Sequence, residues 1–322
     1  MIKKGDDVMS ATIRPLALLA AFVVGWLVPQ GAVLSPLIPW FVGFMLFMTF
    51  LGLNVHKMVV RRSHLLIVAL NLLVGTCGYK FVSAASSDQT LALAVFFTGM
   101  APTATAAPAI AGFLKKEAEY IVAGLLLTTG AVMLSLPFLI PWALGVKSAG
   151  GEFFAAFLSV AKSVGLTMVL PILLARIWRV VYPNARTWTK RCKNLTFAAW
   201  TLMVTIIACR ASAFIKDPAN GVGASILLHV GAASLVVCAL NFTIGYWIGE
   251  KGYRGESSQT LGQKNTGAMI VFASLYAGPL VALGPTTYVL WHNLWNAAQL
   301  ALASAGERKE TNSPTSPTNG DR

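Results

Sequence analysis

Residues 259–277 read QTLGQKNTGAMIVFASLYA, an apolar stretch interrupted by six consecutive polar or glycine residues, Gly262 to Gly267. Within a bilayer, an interrupted helix is tolerated only where its freed backbone groups line a cavity or lie inside protein. Residues 99–108, GMAPTATAAP, interrupt a second apolar stretch, because Pro102 and Pro108 each remove a helical hydrogen bond. The position of these two interruptions among the membrane spans decides the fold.

The composition indicates a membrane protein. Of the 322 residues, 56% are hydrophobic and 11% are charged, whereas soluble globular chains carry roughly 25% charged residues. A spanning helix needs about 20 mainly apolar residues. We therefore predict an all-α integral membrane protein with ten transmembrane helices. The predicted spans run approximately over 14–30, 37–53, 64–84, 90–113, 118–145, 152–175, 194–214, 223–249, 259–277 and 284–304.

Basic residues in the loops test this count. In a ten-span arrangement, 19 of the 25 Lys and Arg residues fall at the termini or in alternate loops, all on one side. The opposite loops contain only Lys147 and Lys216, with Lys80 near that edge. The positive-inside rule then places both termini in the cytoplasm, as in a bacterial inner or plasma membrane protein. The formal charge of +13 is thus explained without a nucleic-acid partner. A signal peptide at the first apolar stretch is the alternative.

The two interruptions fall in the fourth and ninth spans, which are the fourth members of two successive sets of five. Paired discontinuities of this kind indicate an inverted-repeat transporter whose binding site lies near the bilayer midplane. We predict one transmembrane domain over 1–304, with repeats over about 14–145 and 152–304, and a disordered cytoplasmic tail over 305–322. The alternative is ordinary Pro kinks and a glycine-rich packing face.

Lys264 is the cation that most needs a partner. It lies in the interrupted ninth span, and every Asp and Glu falls outside the predicted spans or at their ends. A cation within the bilayer should face protein or a water-filled cavity, so its partners are backbone carbonyls or a ligand anion. We expect Lys162 and Arg210 instead to reach an interface by snorkelling.

The sequence contains no motif that indicates an enzyme or a metal-binding site. HExxH is missing, and no Asp lies within a predicted span, so an intramembrane protease or other enzyme is not expected. The cysteines are scattered singly, which predicts neither a disulfide framework nor a zinc site. We expect no cofactor. The four are Cys77, Cys192, Cys209 and Cys238.

Four motifs, in order along the chain, resemble those of the bile acid:sodium symporter family. They are Pro36-Leu37-Ile38-Pro39-Trp40 leading to Leu51-Gly52-Leu53, the stretch starting at Pro102, Gly262 to Gly267, and Trp291-His292-Asn293. The resemblance covers most of the chain. It implies two inverted five-helix repeats, a core domain in which broken helices four and nine cross, a panel domain, and alternating access to a substrate site.

The chain departs from this family at the oxygen ligands that hard cations such as sodium require. Ala107 and Pro108 replace a Ser-Asn pair, Thr260 replaces a Glu, Lys264 replaces a Gln, and Asn71 falls near a third-span Gln. At an effective dielectric of 20, an ammonium about 4 Å from Na⁺ repels it by about 4 kcal/mol. We therefore do not expect the family's usual Na⁺ coupling. Lys264 is expected to take the place of one sodium ion. If desolvation favours its neutral form, it also carries a proton.

The sequence thus predicts a secondary transporter of a small organic anion. An efflux carrier of an inorganic anion or metalloid, and a non-transporting receptor or scaffold, remain alternatives; substrate identity and oligomeric state stay open. Two residues are assigned a structural role, His292 and Asn293. The predicted substrate-binding residues are Lys264, Asn265, Thr266, Thr105 and Pro108. The predicted, degenerate coupling-ion residues are Asn71, Thr128, Thr129, Thr260 and Gln263.

Overall fold

The computed structural model describes residue 17 and residues 20–53, 58–114, 116–146, 151–218 and 223–311. In this part of the chain the secondary structure is helical, without a strand. The α-helices are α1 (20–27), α2 (Ile38–Gly52), α3 (Ser63–Ala85), α4 (Gln89–Met100), α5 (Ala107–Phe113), α6 (Ala118–Ala143), α7 (Gly151–Val164), α8 (Leu170–Val181), α9 (Trp188–Arg191), α10 (Lys193–Lys216), α11 (Ala224–Ile248), α12 (Arg254–Gly262), α13 (Thr266–Tyr276) and α14 (Pro279–Thr311).

Some of these helices are joined by short 3-10 or π-helical segments, so that the helical structure continues from one into the next. A 3-10 helix over Pro29–Leu37 leads into α2, and a π-helical turn over Gly165–Val169 connects α7 to α8. Within the described residues, six continuous helices are long and apolar enough to cross a membrane. This indicates an integral membrane protein. The six are Pro29–Gly52, Ser63–Ala85, Ala118–Ala143, Gly151–Val181, Asn194–Lys216 and Ser225–Ile248.

Both predicted interruptions are present. The predicted fourth span is divided into α4 and α5, and the predicted ninth span into α12 and α13. The halves are too short to cross a bilayer alone, so the number of spans depends on whether each pair acts as one. The count of ten spans and the repeat therefore stay predictions.

Several helix ends differ from the sequence prediction: α8 continues to Val181 rather than 175, α14 begins at Pro279 rather than 284, and two further ends change a predicted assignment. α12 begins at Arg254, five residues before the predicted ninth span, so that its polar first turns are helical too. α14 continues to Thr311, so residues 305–311 of the predicted tail are helical; Glu, Arg and Lys favour a helix, and no Gly or Pro follows until Pro314. Residues 14–16, 18, 19 and 312–322, as well as Lys147, lie outside the described residues.

The helices pack in two groups. The crossover bundle contains the two interrupted helices with their neighbours α3, α6, α11 and α14. The flanking helices are α1, α2, α7, α8 and α10. Four of them pack mainly on one another, whereas α7 packs on α6 of the crossover bundle. The groups meet where α7 packs on α6, where α2 touches α13 and where α10 touches α14. Inside the crossover bundle, α3 and α4 pack with their backbones in close contact at Gly75 and Gly99.

Candidate functional site

The two interrupted helices meet at their interruptions, and we call this meeting point of Thr103 and Lys264 the crossover. Thr103 and Lys264 form an isolated antiparallel bridge between the two extended segments. The Ala104 N–H donates to the Gln263 carbonyl at 2.7 Å. In return, the Asn265 N–H donates to the Pro102 carbonyl, also at 2.7 Å. Each interruption thus supplies backbone hydrogen-bond partners to the other. This is how irregular backbone can persist within a helical bundle.

A buried chain of threonine hydroxyls reinforces the bridge. The Thr103 hydroxyl donates to the Thr260 carbonyl at 2.7 Å, and the Thr128 hydroxyl donates to the Thr103 hydroxyl at 2.9 Å. Thr128 also accepts the Thr103 backbone N–H at 3.1 Å. These contacts tie α6 and α12 to the first interruption. Two of the predicted coupling-ion residues, Thr128 and Thr260, therefore do lie together at the crossover.

Lys264 points into the crossover bundle and is 1% exposed. Its ammonium donates to the Asn71 Oδ1 atom on α3 and to the Gly99 carbonyl, 3.2 Å away, in the last turn of α4. The sequence leaves open whether carbonyls or an anion neutralise this cation, and in the structure its partners are protein oxygens. The negative end of the α4 dipole faces the charge and offsets part of it.

The other predicted substrate-binding residues lie beside the crossover with different exposure. Asn265 and Thr105 are half-buried, and so is Pro108 in the first turn of α5. Asn265 occupies the N-cap position of α13, yet its side chain makes no capping hydrogen bond. Thr266, the first residue of α13, is buried. The polar groups of Asn265 and Thr105 are thus better placed than Lys264 to contact a small molecule.

Of the remaining predicted coupling-ion residues, Asn71 contacts Lys264, whereas Gln263 and Thr129 form no hydrogen bond with it. The Gln263 amide donates to the side-chain oxygen of Asn296 on α14 and to Gln259 Oε1 on α12 at 3.1 Å. The Thr129 hydroxyl is buried without a hydrogen-bond partner among the described residues. Asn71, Thr128 and Thr260 are already engaged by protein groups, as described above.

His292 and Asn293, which the sequence analysis assigns a structural role, hold α14 in place less than their neighbour Tyr288 does. The Asn293 amide donates to the Val289 carbonyl of its own helix at 2.7 Å. The buried His292 packs its ring edgewise on Tyr288, with 5.6 Å between centroids. Tyr288 itself donates to the Gly262 carbonyl at 2.7 Å, at the end of α12. Tyr288, which the sequence analysis missed, therefore fixes α14 to the second interruption.

Glu256 is a second residue that sequence reasoning missed. It is 4% exposed, because α12 begins earlier than predicted and is surrounded by other helices. Its Oε1 atom accepts the Glu117 N–H at 3.2 Å, whereas its Oε2 atom is buried without a partner among the described residues. A carboxylate therefore does lie inside the helical bundle. It lies about 9 Å of α-helical rise before Gly262, the last residue of α12, and no hydrogen bond joins it to Lys264 among the described residues.

A cluster at the start of α12 fixes this half-helix to α3 and α6. Arg61 donates to the Tyr253 hydroxyl at 3.0 Å, and Tyr253 stacks on Tyr120 with 5.2 Å between ring centroids. Tyr120 shares a 2.6 Å hydrogen bond with the Ser63 hydroxyl, and the Ser63 N–H donates to Glu250. The polar half-helix α12 is thus held at both ends.

Comparison with known proteins assigns the chain to no family. No protein-family model matches the chain, and no curated protein matches it significantly. The resemblance to bile acid:sodium symporters therefore rests on the four motifs quoted above.

Proposed function

We propose that this protein is a secondary transporter that moves a small organic anion across the membrane by alternating access. The proposal includes ten spans in two inverted five-helix repeats, with α4–α5 and α12–α13 each counted as one interrupted span. The observation that carries it is the contact between the two interruptions, which pair through the Thr103–Lys264 bridge. Interrupted helices that meet in mid-bundle supply free helix ends for a ligand, and such ends form the midplane sites of transporters.

An anion is the substrate class that the crossover favours. α13 begins there, and the first N–H groups of a helix present a positive dipole end. Asn265, at its N-cap, keeps a half-buried amide that is not used for capping. Thr105 adds a half-buried hydroxyl from the other interruption. Because Lys264 is buried behind this surface, its positive charge attracts the anion at a distance rather than by contact.

Coupling to Na⁺ is not part of the proposal. The Asn71 carbonyl oxygen already accepts from Lys264, and the Thr128 hydroxyl is engaged with Thr103. The Thr260 hydroxyl donates to the Glu256 carbonyl of its own helix at 2.7 Å. Oxygens with protein partners are poor candidates for ligands of a hard cation, which needs several of them at once.

Transport in liposomes tests the proposal. A thermal-shift screen of small organic anions on the purified protein selects a ligand, because a ligand that binds the native state stabilises it. The radiolabelled ligand is then offered to proteoliposomes and to empty liposomes. We expect saturable uptake, with an initial rate that changes little when K⁺ replaces Na⁺.

A matched pair of asparagine variants locates the site. Both side chains are half-buried, but Asn265 lies at the crossover, whereas Asn293 bonds its own helix. We expect Asn265→Leu to lower uptake by about tenfold, the loss for about 1.4 kcal/mol, and Asn293→Leu to change it less than twofold. Binding of the ligand without uptake would favour a receptor. A steep dependence of the uptake rate on Na⁺ would contradict the inference that the oxygens of Asn71, Thr128 and Thr260 do not bind Na⁺.

A further inference from the structure

The end of α8 and the segment that follows it carry positive charge without an acidic residue nearby in the sequence. Residues 153–216 contain no Asp or Glu, and six Lys or Arg residues fall within residues 176–193. Positive loop charge sets membrane orientation in general, but orientation does not require the charges to gather at one place. The six are Arg176, Arg179, Arg186, Lys190, Arg191 and Lys193.

Three arginine side chains of this segment do lie close together. Arg179 is half-buried, and its guanidinium donates to the Leu53 carbonyl at 2.6 Å, where α2 ends. Arg176 and Arg186 are exposed, and both lie near enough for their like charges to act on Arg179. Among the described residues, none of the three forms an ion pair with a carboxylate. An anion from outside the protein would therefore offset the repulsion among them.

Aromatic rings lie beside these arginines. Trp178, Tyr182 and Trp188 form a cluster in which the ring centroids are between 5.1 and 6.1 Å apart, and the rings of Trp178 and Tyr182 are exposed. Trp and Tyr are enriched at membrane–water interfaces, where their rings lie at the level of the headgroups. The spanning helix Gly151–Val181 ends among these rings. The rings and the arginines should therefore lie at the level of the lipid phosphates.

We propose that Arg176, Arg179 and Arg186 form a binding site for the headgroup of a net-anionic phospholipid, from the leaflet at this end of the spanning helix. We call it the arginine site. Guanidinium groups bind phosphate oxygens through paired N–H donors, and juxtamembrane basic clusters attract anionic lipids. Free phosphate would match the charges, but only a lipid also matches the exposed rings beside them. The inference goes beyond the proposed transport function and requires only that the protein lies in a membrane.

Thermal unfolding of the full-length protein in detergent micelles tests the arginine site. The micelles carry equal mole fractions of anionic dioleoylphosphatidylglycerol or of zwitterionic dioleoylphosphatidylcholine, and a third sample receives the zwitterionic lipid with inorganic phosphate. We expect the anionic lipid to raise the wild-type Tm by at least about 3 °C over the zwitterionic lipid, because a ligand of the native state stabilises it. Inorganic phosphate should add less than about 1 °C. High NaCl should shrink the lipid effect by screening.

Two double variants with the same net charge locate the effect. Arg176→Gln with Arg186→Gln removes two exposed charges of the arginine site and leaves Arg179 in place. Arg62→Gln with Arg254→Gln is the matched control, because these exposed arginines lie elsewhere, at the starts of α3 and α12. We expect the first double variant to lose at least about half of the lipid effect on Tm, and the control to keep it.

Three results would overturn the proposal. They are the absence of a lipid effect in the wild type, an equal effect of inorganic phosphate, which would make the ligand a soluble anion, and equal losses in the two double variants, which would show a response to net charge alone. If the first double variant does not fold, Arg186→Gln alone replaces it, and an undiminished lipid effect in that variant would also overturn the proposal. Because no substrate is present, failure here is distinct from failure to transport.

Discussion

Thr103 joins the two interruptions through its side chain as well as its backbone. Its hydroxyl donates to the Thr260 carbonyl and accepts from Thr128, and no part of the residue is exposed. In this position a threonine contributes to tertiary structure, whereas most membrane threonines bond only their own helix. Thr286 on α14 is of that second kind, since its hydroxyl donates to the Ala282 carbonyl four residues earlier.

We expect Thr103→Val to destabilise the protein by about 1–3 kcal/mol, because two buried polar groups lose a partner while the side-chain volume is kept. Thr286→Val, at an equally buried site, should cost less than about 1 kcal/mol, because the change breaks no contact between helices. Thermal unfolding of both variants in detergent measures the difference. Equal losses of Tm would show that the hydroxyl chain adds nothing to the bridge.

At the scale of elements, the contact between α3 and α4 positions the oxygens around Lys264. Gly75 and Gly99 face each other, and a Cβ on Gly75 would lie 2.6 Å from the Met100 side chain and 2.9 Å from its backbone N atom. Backbone atoms cannot move aside as a flexible side chain can. The glycine pair therefore sets the distance between the two helices.

Gly99→Ala should separate α3 from α4 and destabilise the protein by about 1–3 kcal/mol, as overpacking does in a filled core. The Gly99 carbonyl should also move away from Lys264. Gly130→Ala is the control within α6, because nothing lies within 4 Å of a Cβ at that position. It should be neutral, or stabilising by up to about 1 kcal/mol from helix propensity. If Gly99→Ala unfolds at the wild-type temperature, the contact is looser than described.

The sequence predicted the interrupted helices but not the arrangement of their side chains. Pro102 and the Gly262–Gly267 run are local signals, so the positions of both interruptions followed from the chain alone. The direction in which Gln263 and Lys264 point depends on how the helices rotate against α3 and α14, which no local pattern encodes. Glu256 was missed for a related reason: its burial comes from neighbouring helices, whereas its own sequence surroundings are polar.

At the scale of the whole molecule, the proposed alternating access requires the crossover bundle to move relative to the flanking helices. One of the places where the groups touch is the contact of α2 with α13: a Cβ at Gly267 would lie 3.5 Å from Val42 Cγ2, an ordinary contact distance. Because these two positions are in contact, a pair of cysteines placed there tests for movement between the groups. We expect oxidation of the Val42→Cys, Gly267→Cys pair to stop uptake and reduction to restore it, in a background without the four native cysteines. The single Val42→Cys variant should transport under both conditions. Undiminished uptake by a fully cross-linked sample would contradict movement between the groups.

Cysteine labelling checks the orientation predicted from the loop charges. Asn184→Cys, on the basic segment between α8 and α9, should react with a membrane-impermeant maleimide only from the cytoplasmic side. Ser87→Cys, in the exposed turn between α3 and α4, should react only from the other side. Reaction of both from the same side would remove the ten-span arrangement.

The crossover also has a consequence for how the protein is made. Gly99 and Lys264 are separated by 165 residues. At about 5–20 residues per second, a ribosome needs roughly 10–30 seconds to synthesise the second partner after the first. During this delay the first interruption has left the ribosome, while the backbone groups that will satisfy it do not yet exist. Insertion of the first half must therefore proceed with open hydrogen-bonding groups near the bilayer, shielded by water or by the insertion machinery. Premature termination before Lys264 should yield a fragment that is extracted and degraded rather than retained.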